Sequence, residues 1–354
     1  MPKDSISFFP SQLLAWHHPD DRPLPWKNIK DPYLIWLSEI ILQQTRAVQA
    51  IPYFNNFSKS YPTVAHLAKA PIDDVLAMWQ GLGYYSRARN LHHSAQQIMD
   101  EFGGVFPDNY EDIISLKGVG KYTAAAIASF AFGLPYPVVD GNVIRIISRY
   151  FDIELPVDKA DGLNHINRLV QEVFDKKKPA KFNQAIMDFG ATVCRPKNPD
   201  CDHCKLQNFC LAKHNNTQAL RPVKSKKLLR KIRHFNFLFI KRGKQIYIQK
   251  RTSKDIWQGL YQLPLVEGEV YAKRTKLKNE LNKNWSNNIA LNPIFTHKQL
   301  LTHQVIHSIV WQLETKKNKK EMPLENGQWV SLDKLSEYGF PKSLTLFFTD
   351  NSLY

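Results

Sequence analysis

The chain has 354 residues, enough for two or three domains with separate cores. Its 48 Lys and Arg against 32 Asp and Glu leave a formal charge of +16, a surplus that points to a polyanionic partner. No stretch has the length of a signal peptide's apolar core or a membrane span, since the most apolar run, Tyr122 to Val139, is broken by Gly133, Pro135 and Pro137. The expectation is a cytoplasmic protein whose thiols stay reduced.

From about Ser11 to Leu211 apolar residues recur at three and four, the helical period. Leu34, Ile35, Leu37, Ile41 and Leu42 line one predicted helix, Val75, Leu76 and Met78 a second, Ile113, Ile114 and Leu116 a third. Within the first, Glu39 stands among Trp36, Leu37, Ile40, Ile41 and Leu42. A carboxylate desolvated by such neighbours has a raised pKa and suits a general acid; the alternative is an exposed Glu on the helix's outer face. In LKGVGKYTAAAIASFAFG (116–133), Gly118 and Gly120 allow a tight turn before a helix from Thr123 to Ala131. That turn either presents backbone N–H groups to a phosphate or merely connects two helices. Twenty residues past Gly120, VVDGNV (138–143) places Asp140 in a dipeptide that also forms ordinary turns.

All four cysteines, Cys194, Cys201, Cys204 and Cys210, lie within seventeen residues as C-x6-C-x2-C-x5-C. In a reducing compartment this points to a metal site and not to disulfides. Structural zinc sites usually pair two C-x2-C halves, whereas four unevenly spaced thiolates favour an iron–sulfur cluster; the residues alone leave both open. Beyond Asn215 the character changes. Arg221 to Arg233 holds seven basic residues in thirteen and reads as a solvated linker that also touches phosphates. HFNFLFI (234–240), QIYIQK (245–250) and HSIVWQL (307–313) then read as strands of an α+β domain.

Taken in order, PWKNIKDPYLIWLSEIILQQT, WQGLGYYSRARNL, LKGVGKYTAAAIASFAFG, VVDGNVIR and FNQAIMDFGATVCRP resemble the helix-hairpin-helix (endonuclease III) glycosylase superfamily with its iron–sulfur loop. Within it they resemble the MutY family of A/G-specific adenine glycosylases. The resemblance implies a multidomain chain. An all-α helix-hairpin-helix glycosylase domain would span 1–212 with a [4Fe–4S] loop at 194–210, one cluster per chain. A basic linker would follow at 213–230, then an α+β Nudix-like lesion-recognition domain at 231–354, as IWQGLYQLP (256–264) and HKQLLTHQVIHSIVWQL (297–313) suggest. A Nudix hydrolase needs clustered glutamates for Mg²⁺, and KRTKLKNELNK (273–283) offers one among five basic residues, so this domain is expected to be catalytically silent.

The implied function is removal of adenine mispaired with 8-oxoguanine or guanine in double-stranded DNA, by a nucleoid-associated monomer that needs no membrane. Glu39 matches the family's general acid, acting at adenine N7, and Asp140 the carboxylate that stabilises the sugar cation; Tyr122 and Asn142 complete the catalytic set. Trp26 and Gln184 match residues lining the adenine pocket, and Gln44 and Tyr84 side chains that probe the opened duplex. Gly118 and Gly120 grip the DNA backbone, and His303 and His307 belong to the lesion-reading hairpin. There, with the histidines aligned, Val305-Ile306-His307 stands where the family carries Phe-Ser-His, with Ser308 the nearest substitute hydroxyl. A bifunctional endonuclease III-type lyase is the main rival, but it wants a lysine at position 122 and ends soon after its cluster. A non-catalytic mismatch sensor would have no use for both Glu39 and Asp140, and a Nudix-type hydrolase lacks its glutamates.

Overall fold

The computed structural model describes residues 3–225, 229–284, 289–315 and 326–353. The described helices are α1 (Lys3–Trp16), α2 (Pro32–Leu42), α3 (Ala47–Ser60), α4 (Val64–Lys69), α5 (Ile72–Met78), α6 (Ser86–Glu101) and α7 (Tyr110–Ser115). They continue as α8 (Lys121–Phe132), α9 (Gly141–Tyr150), α10 (Ala160–Val173), α11 (Pro179–Thr192), α12 (Leu211–His214), α13 (Arg274–Asn284) and α14 (Lys342–Asp350). The chain divides into two compact units, Met1–Lys69 with His93–Lys227, and Ala70–His92 with Leu228–Tyr354.

The first unit is helical. Helix α2 starts where the Asp31 side chain accepts the Tyr33 N–H at 2.9 Å and Pro32 presets the first turn. It is apolar nearly all round, as a helix sealed inside a core must be, and packs against α3 and α8. Helix α8 can meet it because Ala124, Ala125 and Ala126 are small and buried, and it stops at Gly133, whose φ of +67° closes the C-terminus. Phe9 and Leu13 of α1, Ile146 and Tyr150 of α9, and Phe182, Ile186 and Phe189 of α11 form the core beneath. Truncating a ring such as Phe182 to Ala there costs about 3–5 kcal/mol.

The second unit carries two sheets. One has strand order β5 (Leu265–Glu267), β1 (Lys231–Phe239), β7 (Gln304–Thr315), β6 (Ile289–Leu300), with β1 and β7 parallel and β6–β7 an antiparallel hairpin. The other runs β2 (Lys241–Arg242), β3 (Gln245–Lys250), β4 (Tyr261–Gln262), with β8 (Gly327–Ser331) also paired to β3. The three expected strand segments fall within β1 and its C-terminal neighbour Ile240, β3 and β7.

Two stretches make contacts the sequence reading did not anticipate. Residues 70–92, read as part of one helical domain over 1–212, group with the strands: Asp73 pairs with Lys250 and accepts from the Tyr261 hydroxyl at 3.0 Å, and Gln80 accepts from the Phe340 N–H at 2.9 Å. Helical period reports a buried face but not what covers it. The basic stretch is no uniformly solvated linker either. Arg221, 7% exposed, pairs with Asp152 at 2.8 Å and Glu154 at 2.9 Å, Val223 accepts the Val157 N–H, and Ser225 bonds Asp158. Arg233 is held between Asp255 and Glu267 at 2.7 Å each. Their acidic partners lie too far away in sequence for charge counting to reveal them; residues 226–228 lie outside the described residues.

Candidate active site

Glu39 is buried mid-way along α2, and its Oε2 has no hydrogen-bond partner among the described residues. Burial pushes its carboxyl up to about 7; the Tyr122 hydroxyl pulls it down and the charge of Asp140 pushes it further up. Tyr122, in the first turn of α8, turns an enclosed hydroxyl toward this pair and donates to Met187 Sδ at 3.4 Å. Asp140 caps α9: one oxygen accepts the Val143 N–H at 2.8 Å, the other the Asn142 Nδ2 at 2.8 Å. Burial raises its pKa too, but those bonds and Arg145 oppose the rise. Asn142 is itself fixed by Arg145 (2.8 Å), which also donates to the carbonyls of Gly190 (2.7 Å) and Cys194 (2.8 Å). Residue 190 has to be glycine, since a Cβ there would come within 2.6 Å of the Asn142 Cβ.

Glu39 lines a cavity of about 300 Å³ together with Trp26, Gln184, His17, Lys27 and Phe130, a volume at the lower end for small-molecule sites. Behind its wall lies a carboxylate that sequence reasoning missed. Asp188 of α11 accepts from Lys27 at 2.7 Å, Arg22 at 3.0 Å, Gln184 at 3.1 Å and His17 at 3.3 Å. Burial would raise its pKa, but the bonds from His17, Lys27 and Arg22 carry it down to about 2. The one signal in the sequence was its place four residues after Gln184, on the same helix face.

The other expected site residues fall in several places. Gly118 has φ +82° in the turn between α7 and α8, and Gly120 opens α8 with no side chain capping it. Gln44 and Tyr84 both adopt left-handed backbone, φ +56° and +49°, strained for side chains of their size and of the kind that collects at functional sites. Tyr84 belongs to the second unit, where its hydroxyl meets that of Thr302. Thr302 marks a correction. The apex of the β6–β7 hairpin is Leu301-Thr302-His303, and Val305-Ile306-His307 lies inside β7. Ile306 is fully buried and the Ser308 hydroxyl is buried as well, so neither can meet a base. His307 stacks on His234 at 5.0 Å, while His303 is exposed at the apex. Two histidines four residues apart allowed either register.

Cys194, Cys201, Cys204 and Cys210 are all free and partly buried. Each of the last three has its thiol pKa raised by burial first and by neighbouring cysteines as well; Cys204 reaches about 12 and Cys210 about 11. Among the described residues no three His, Cys, Asp or Glu side chains form a group that could hold one metal ion. Arg149 of α9 donates to Cys194 Sγ at 3.4 Å and to the carbonyls of Arg195 and Pro196, tying this loop to the helix that Asp140 caps.

Residues 37–172 match the family model of the HhH-GPD superfamily base excision DNA repair proteins, and residues 236–349 that of the NUDIX domain. An adenine DNA glycosylase of Buchnera aphidicola from Schizaphis graminum is 35% identical over 341 residues, 96% of this chain and 97% of that one. The chain belongs to the adenine DNA glycosylase family. A thermostable thymine-DNA glycosylase structure matches 60% of the chain and 98% of its own at TM-score 0.54 and 30% identity. An endonuclease III–DNA complex, 20% identical and covering 62% of the chain and 99% of its own at TM-score 0.54, shares the fold. The chain is thus a DNA N-glycosylase of base excision repair that removes adenine, with a helix-hairpin-helix domain and a Nudix-like one, and its partner is DNA.

Proposed function

We propose that the enzyme, acting as a monomer, excises adenine opposite 8-oxoguanine or guanine and leaves the abasic strand intact. One observation carries the chemistry: a buried Glu39 whose carboxyl is pushed up to about 7, beside an Asp140 whose own rise on burial is opposed by three donors. Adenine flipped out of the stack enters the cavity between Trp26 and Gln184. Glu39 gives its proton to N7, the C1′–N9 bond breaks, and adenine leaves neutral. Ionised Asp140 stabilises the cation at C1′ until water adds and passes its proton to the Glu39 carboxylate, which restores the acid, and Tyr122 and Asn142 complete the charged surroundings. Position 122 offers a phenol where the lyases carry an amine, which supports base release without strand cleavage.

Gly118, Gly120 and the uncapped start of α8 fit a DNA phosphate; Gln44 and Tyr84 fit the opened duplex. The hairpin apex, with the Thr302 hydroxyl and His303, is the group suited to read the base opposite adenine, while the Nudix-like domain hydrolyses nothing. The four cysteines would be the thiolate ligands of one [4Fe–4S] cluster, a reading supported by their spacing, by the electrostatic reach of Cys204 and Cys210 to the other cysteines, and by Arg149 donating to Cys194 Sγ at 3.4 Å. Such a cluster would supply a structural clamp on the 194–210 loop. Single-turnover excision from adenine opposite 8-oxoguanine, guanine or cytosine tests the reading. Base release opposite the first two, with strand breakage only after alkali, is expected; strong borohydride trapping on DNA would overturn it.

A further inference from the structure

His17 and Gln184 line the cavity and both give a hydrogen bond to the same carboxylate, Asp188. An ionised carboxylate only accepts, so the contact fixes both partners. The Gln184 amide must turn its Nε2 to Asp188, leaving Oε1 as its outward group. The His17 imidazole must hold its proton on Nε2, leaving a lone pair on Nδ1. Lys27 at 2.7 Å and Arg22 at 3.0 Å already bring positive charge to the Asp188 carboxylate. His17 is 6% exposed, and Nδ1 is buried with no hydrogen-bond partner among the described residues. A buried polar atom without a partner is costly, and this one belongs to a wall of the same cavity as the unpartnered Oε2 of Glu39.

We infer that Asp188 sets the hydrogen-bond polarity of the base pocket, and that His17 Nδ1, with Gln184 Oε1, accepts from the exocyclic amine of the bound base. An adenine joined to sugar through N9 has only one donor group, its 6-amino group, with two N–H bonds; two acceptors match it. A base with oxygen at that position would meet lone pair with lone pair. His17 is then a binding residue that selects for the amine, and Asp188 a positioning residue acting through it. This inference rests on the cavity receiving the flipped adenine.

The test measures single-turnover excision of adenine and of unsubstituted purine, which lacks the amine, from otherwise identical duplexes. The adenine-to-purine rate ratio should fall about two- to tenfold in His17→Phe, the worth of one neutral hydrogen bond, and recover in part in His17→Gln, which keeps an acceptor. If His17→Phe fails to fold, His17→Met, which lacks a comparable acceptor, replaces it against His17→Gln. An unchanged ratio, with or without an equal loss on both substrates, would overturn the inference and leave His17 a packing residue. Glu39→Gln checks the cavity assignment separately, because it should abolish release of both bases whatever His17 does.

Discussion

Glu39 and Asp188 are carboxylates of one helical unit, both nearly sealed from water at 5% and 3% exposure, yet they are driven to opposite sides of the ordinary range. Glu39 has a hydroxyl and another carboxylate for company and rises to about 7; Asp188 has Lys27, Arg22 and His17 and falls to about 2. Burial acts the same way on both. What differs is the supply of donors, and that supply decides which group moves a proton and which one holds a wall in place.

The largest effect should be on chemistry. Glu39→Gln should fold and bind mismatched duplex but lose about 10²- to 10⁴-fold in single-turnover base release, the usual worth of a positioned general acid. Near-normal release would move the acid elsewhere. Asp188→Leu should act on stability instead. It leaves a buried Lys27 and its companions without their anion, at a cost of about 3–5 kcal/mol in urea unfolding. A small loss would mean that the cations find other partners.

The same contrast has a pH signature. Folding raises the Glu39 pKa, so the stability this group contributes is present at low pH and is lost as pH rises through about 7. Glu39→Gln cannot ionise, and should therefore match the wild type near pH 4 but exceed it at pH 8 by on the order of 3 kcal/mol, at about 1.4 kcal/mol per pKa unit. Asp188, with its lowered pKa, contributes in the opposite sense: its stabilisation is present at neutral pH and fades only as pH falls toward about 2. Equal stability curves for Glu39→Gln and wild type would remove the buried-acid account.

The smallest effect concerns the second unit. Thr302→Ala should reduce the preference for 8-oxoguanine over guanine about two- to tenfold, one lost hydrogen bond. Ile306→Ser should lower stability by burying a hydroxyl in β7 and leave the preference unchanged. The reverse pattern would restore the register expected from the sequence.

These residues also mark what could be read in advance. Glu39 was legible because its apolar neighbours Trp36, Leu37, Ile40, Ile41 and Leu42 share its helix, and the strands because HFNFLFI, QIYIQK and HSIVWQL are rich in aromatic and β-branched residues. Asp188 was not, since its partners His17, Arg22 and Lys27 lie more than 160 residues earlier. Arg221 looked like solvated linker because Asp152 and Glu154 lie nearly 70 residues earlier. The hairpin register was misread because His303 and His307 are interchangeable as letters, and only strand pairing shows that Ile306 faces the core.

The most direct measurement of the central claim is a titration of the glutamate carboxyl carbons by NMR, comparing wild type with Glu39→Gln. One resonance absent from the variant should titrate near 7 in the wild type, about where burial places Glu39. A missing resonance that titrates in the ordinary carboxylate range would contradict the account.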